Sequence, residues 1–126
     1  MNIVKLLKVT SVLEILVGLA LIFIPSAVIQ ILIGAAVTDV IETIGRLTGI
    51  VFLSFGISCW QGKGSESEKI NMSAVTGMFA YNLIVSVFFF YLKFAGGYNG
   101  LLLLPAAILH LIITLCFIYL LFIARK

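Results

Sequence analysis

The chain reads as an all-α membrane protein: an up-down antiparallel bundle of four transmembrane helices, with a short interfacial helix or re-entrant piece after the first. Three observations predict this. Of its 126 residues, 63% are hydrophobic and 10% charged, whereas roughly a quarter of a soluble domain is charged. Four apolar runs each reach the length of about 20 residues that crosses the hydrocarbon layer. The connections between them are short, which makes consecutive spans antiparallel neighbours. Spans and connections together take up residues 1–126 as a single four-helix transmembrane domain.

The first span covers residues 6–24 and stops at Pro25, since a proline tends to end a helix at the residue before it. The N-terminal stretch has the outline of a signal peptide. Glu14 interrupts its apolar run, however, and the run continues too far before any small-residue site, so an uncleaved first helix is expected. Residues 26–36 are apolar but too short to span, and contain Gln30 and Gly34. They are placed at the interface or as a re-entrant turn. The second span covers 40–60. It is followed by the most polar stretch of the chain, residues 61–69, whose glycine, serine and alternating charge mark an exposed loop. The third span covers 71–92, the turn after it 93–100, and the fourth span 101–123. Pro105 lies in the first turns of the fourth span, where a missing N–H disrupts least.

The net charge of +3 is a topology signal rather than a nucleic-acid patch. Six of the eight cations, Lys5, Lys8, Lys63, Lys69, Arg125 and Lys126, sit at segment ends on one side. The other two connections hold only Lys93. The positive-inside rule then places both termini and the 61–69 loop in the cytoplasm, and connections 25–39 and 93–100 outside. The expected location is a bacterial-type inner membrane. Trp60 marks the inner interface, and Tyr91, Phe94 and Tyr98 the outer one. Cys59 and Cys116 lie inside apolar segments at different depths, and read as small core residues rather than a disulfide or metal pair.

Small residues offer close packing. Gly45, Gly49 and Gly56, spaced by four and seven, share one face of the second span and let another helix approach. Ser11 and Gly18 on the first span, and Ser73 and Gly77 on the third, present similar smooth surfaces.

Function is carried by polar residues placed where a bilayer is driest. Glu14, Arg46, Asn82 and His110 each lie on a different span, and a charge at such depth costs several kcal/mol by insertion scales. At about 1.5 Å of rise per residue, Glu14, Asn82 and His110 fall within roughly 3 Å of their span centres, and Arg46 roughly 6 Å toward the outer side. The Arg46 side chain is long enough to reach inward to the same layer. Glu42 stands one turn from Arg46, at the i, i+4 spacing of an ion pair. Ser11, Ser86 and Thr114 lie one turn from Glu14, Asn82 and His110, and can extend a hydrogen-bonded network. If Glu42 neutralises Arg46, Glu14 has no fixed cation, and is the residue expected to change protonation state, within reach of Asn82 or His110. The competing reading is that these groups only lock four helices in register, through interhelical polar bonds worth about 0.6–2 kcal/mol each.

A single histidine without zinc-type ligand spacing makes a poor metal site. No catalytic triad, phosphate loop or cofactor fingerprint is present in the sequence, so no cofactor and no catalytic residue is assigned. The first-helix glutamate, Glu14, resembles that of the small multidrug resistance transporters, which implies sharing of that carboxyl between protons and cationic drugs. Pro25 after the first span, then Gly45-Arg46-Leu47-Thr48-Gly49 with Gly56, is similar to small bacterial four-span families of the DoxX-like and unknown-function type. That resemblance implies an inner-membrane bundle, sometimes an accessory subunit of redox or biosynthetic assemblies. Three function classes follow: a bundle that binds a small lipophilic ligand or handles a proton at the polar layer; a non-catalytic scaffold or accessory subunit, docking on a membrane-protein partner or a second copy; and an intramembrane acid-base enzyme, such as an isomerase using Glu14 and His110. The lipid bilayer is the partner common to all three, and nucleic acid is not one.

Overall fold

The computed structural model describes residues 1–61 and 71–123. Lys63, Lys69, Arg125 and Lys126, on which the charge asymmetry largely rests, lie outside the described residues. Helix α1 (Ile3–Phe23) starts at Asn2, whose side chain accepts a hydrogen bond from the Lys5 N–H at 2.9 Å, as N-cap residues do. It ends where Pro25 begins α2 (Pro25–Ile33), with proline at the first helical position, where its missing N–H costs nothing. Gly34 closes α2 in the left-handed conformation, φ +78°. Helix α3 (Asp39–Gln61) carries Asp39 and Glu42 in its first turn, where acidic side chains favour the helix dipole. Helix α4 (Met72–Phe94) is capped by Asn71, which accepts from the N–H groups of Ser73 and Ala74. Helix α5 (Leu103–Ile118) runs on into a π-helical turn, Tyr119–Ile123, which hydrophobic patterning gives no means of predicting.

Four of these helices, α1, α3, α4 and α5, are long and apolar enough to cross a membrane. The protein is a small multi-pass membrane protein with an all-α fold, and the piece between the first two spans is a short helix.

Helices α1 and α3 form one tightly packed hairpin, α4 and α5 a second, and α1 touches every other helix. That central position shows in its buried residues. Leu7, Ser11, Glu14, Gly18 and Leu21 follow one another by four, three, four and three, the spacing of a helix seam. On α5 the sequence Leu103, Ala107, Thr114 and Phe117 keeps the same register, with His110 on the same seam. The buried seams are more polar than the outer faces, where Leu16, Ile50, Val51, Ile84, Val87 and Ile112 stand open. In a bilayer this is the favourable arrangement: lipid covers the apolar faces, and the polar groups find partners inside.

The α1–α3 contact is close enough to exclude side chains. A Cβ on Gly18 would lie 2.6 Å from the Leu53 nitrogen, and one on Gly49 would lie 2.7 Å from the Gly18 carbonyl oxygen. Gly56 backs onto Ser11 and Ile15, while Gly45 meets α2 through Pro25 and Ile29. Gly77 is different, with only the edge of the Phe55 ring nearby, at 3.8 Å.

At the α2 end the two hairpins are stitched by backbone. The N–H of Gly100 donates to the Ile33 carbonyl at 3.1 Å, and that of Leu102 to the Ile31 carbonyl at 3.0 Å. These carbonyls belong to the last turn of α2, which has no intrahelical donors left. Gly100 is required there, because a Cβ would run into the Leu32 carbonyl. At the opposite end, the Lys8 ammonium lies 5.1 Å from the centre of the Trp60 ring.

Candidate functional site

The polar layer is built by α1, α4 and α5. Glu14 is 5% exposed, and Asn82 and Thr114 1%. The polar group facing the Glu14 carboxyl from α4 is the phenol of Tyr81. One carboxyl oxygen, Oε2, is buried and has no hydrogen-bond partner among the described residues. Tyr81 is held by rings on both sides. Phe52 and Phe55 of α3 meet it edge-on at centroid distances of 5.7 and 5.5 Å, and His110 of α5 at 5.7 Å.

His110 is in turn bonded to Asn82, its Nδ1 lying 2.7 Å from Oδ1. The Asn82 amide nitrogen donates to the Met78 carbonyl at 2.8 Å. That bond fixes which way the amide points, so Oδ1 is the acceptor and Nδ1 of the imidazole carries the proton. In the neutral ring, Nε2 then holds the free lone pair. Phe89 covers the histidine from a second side, edge-on at 5.8 Å. The layer is therefore two linked halves: Glu14 with Tyr81, and Asn82 with His110, joined by the contact between the Tyr81 and His110 rings.

The smaller polar groups complete the layer unevenly. Ser86 ties the second hairpin together by donating to the Ala107 carbonyl at 3.2 Å. Thr114 and Ser11 return their hydroxyls to their own helices, at the His110 and Leu7 carbonyls. Those two bonds satisfy the hydroxyls without extending a network between helices.

Arg46 is placed elsewhere. It pairs with Glu42 at 2.7 Å and donates a second hydrogen bond to the Ile22 carbonyl. That carbonyl sits where Pro25 interrupts the helical ladder, so the guanidinium serves as a C-terminal cap for α1. The reach of Arg46 is spent toward the α2 end rather than toward Glu14. Both members of the pair are partly open, with side-chain exposures of 47% and 34%.

Tyr81 is the member of the layer that sequence reasoning passed over. The available signal was its depth: tyrosines favour the membrane interfaces, and this one stands mid-span beside Asn82. Cys59 is buried in the core and Cys116 is half-buried, both as free thiols. Among the described residues, no cluster of three or more His, Cys, Asp or Glu side chains is arranged to hold a metal ion.

No protein-family model matches the chain, and comparisons with curated proteins and with solved structures also gave no match.

Proposed function

We infer that this membrane protein takes up and releases a proton at Glu14, in the middle of the bilayer. The observation that carries the reading is the Glu14 carboxyl itself, buried on the central helix, with one oxygen unpartnered and Arg46 committed to Glu42 and Ile22. A carboxylate without a cation is costly in a low-dielectric interior, whereas the neutral acid is not. Glu14 is thus neutral in the closed bundle, and becomes charged when water or a cationic ligand reaches Oε2. Tyr81 faces the carboxyl, and the His110 imidazole, in ring contact with Tyr81, offers its Nε2 lone pair as a further acceptor in the layer.

Infrared difference spectra of the protein reconstituted in lipid, recorded as the bath pH is cycled, test this directly. The expected result is a carboxylic-acid carbonyl band that appears and disappears, is lost in Glu14→Gln and shifts in Tyr81→Phe. No such band, or one that survives Glu14→Gln, would overturn the reading and leave the layer as a structural lock. In that event Gln should replace Glu14 silently, since it keeps shape and hydrogen bonding.

The orientation belongs to the same reading: both termini in the cytoplasm of a bacterial inner membrane, and the α2 end outside. The cation distribution supports it. Single cysteines introduced at Ser65 and at Ala95 should separate cleanly with a membrane-impermeant maleimide, residue 95 labelling from outside and residue 65 only after the membrane is opened. The converse pattern at both positions would invert the topology.

A further inference from the structure

We propose that the groove between α1 and α3, at the end carrying the N-terminus, is a binding site for an anionic phospholipid. Lys8, Val12 and Ile15 stand at i, i+4 and i+7, so they line one face of α1. Val12 and Ile15, with Ile57 and Trp60 of α3, form the walls of an apolar surface cleft. Beside it, at Gly56, the helix backbones come close enough that a Cβ would lie 2.9 Å from the Ser11 carbonyl oxygen. Two turns of apolar wall end in an indole, and the Lys8 ammonium sits over that ring.

This order of groups matches a phospholipid laid along the helices. The walls belong to membrane-spanning segments, so an acyl chain is the apolar material available to fill them. Tryptophan takes the headgroup level of a bilayer. A lysine at the mouth, with Lys5 one turn earlier on α1, offers positive charge where a phosphate would lie, and anionic headgroups gain most from it. The cation–π contact holds the ammonium at the mouth instead of letting it swing into water. Charge complementarity at the mouth is what selects an anionic lipid over a zwitterionic one.

The chain has one tryptophan, so its fluorescence reports this groove alone. The protein is reconstituted in phosphatidylcholine vesicles containing a minor fraction of brominated lipid, either phosphatidylglycerol or phosphatidylcholine. Brominated phosphatidylglycerol should quench Trp60 several-fold more effectively than brominated phosphatidylcholine at equal mole fraction. Lys8→Gln should remove that preference while leaving helicity unchanged, and Lys8→Arg should retain it. Equal quenching by the two lipids in the unmodified protein would overturn the proposal. So would a preference that persists in Lys8→Gln and disappears only with high salt, which would mean diffuse attraction to a basic end rather than a site.

Discussion

Replacing Gly18 or Gly49 by alanine should weaken the fold strongly, by forcing the α1–α3 seam apart. The added carbon would stand 2.6–2.8 Å from backbone atoms of the facing helix, whereas optimal contacts lie at about 3.5–4.0 Å. Backbone cannot rotate away as a side chain does, so the whole α1–α3 pair must separate. Overpacking of this kind costs about 1–3 kcal/mol, and Gly49→Leu should exceed that range. Because α1 also carries Glu14 and touches every other helix, the displacement would spread to the polar layer. Gly77→Ala is the control: its nearest neighbour is the Phe55 ring edge at 3.8 Å, and alanine favours the helix by about 0.5–1 kcal/mol. Unfolding in mixed micelles, followed by circular dichroism, would measure all four variants. If Gly18→Ala and Gly49→Ala proved as mild as Gly77→Ala, the close α1–α3 packing described above would be wrong.

The second large effect is expected at Asn82. Asn82→Leu removes the acceptor of the His110 Nδ1–H and leaves that donor in an apolar surround, at a cost of about 1–3 kcal/mol. His110→Leu strands the amide oxygen instead. The double variant strands neither, so its loss should fall short of the sum of the two, by an amount on the scale of about 0.6–2 kcal/mol seen for polar bonds between membrane helices. Strict additivity would mean that the 2.7 Å contact contributes nothing to holding α4 on α5.

These two seams also mark how far the amino-acid sequence alone reaches. The four spans are legible because hydrocarbon thickness imposes a length, and Pro25 and the 93–100 turn punctuate the runs. Glu14, Asn82 and His110 stand out because any polar group in such a run demands an explanation. Tyr81 does not stand out, since a tyrosine counts as apolar in a hydropathy profile and as an interface residue in a membrane. Its role depends on α1 and α3 bringing Glu14, Phe52 and Phe55 to one point, which is tertiary information. Arg46 shows the same limit from the other direction. Glu42 at i, i+4 is visible in the sequence, but the second partner is the main-chain carbonyl of Ile22, open because it lies in the last turn of α1. No residue-type pattern records that bond. The π-helical turn after Ile118 and the docking of α2 on the 95–102 segment are likewise decided by backbone geometry.

The stitch at the α2 end has a bearing on how the protein is made. A chain entering a bilayer N-terminus first presents α1, α2 and α3 well before α5. The carbonyls of Ile31 and Ile33 must wait for N–H groups that lie 71 and 67 residues further along, at Leu102 and Gly100. Until then the end of α2 can be satisfied only by interfacial water, so the first hairpin inserts with its α2 edge unfinished. Arrival of the segment leading into α5 supplies the missing donors and fastens the two hairpins in one event. The α2 end is in this sense a clasp that closes only once Gly100 and Leu102 are in place, and a chain truncated before Gly100 would hold its α1–α3 seam yet remain open there.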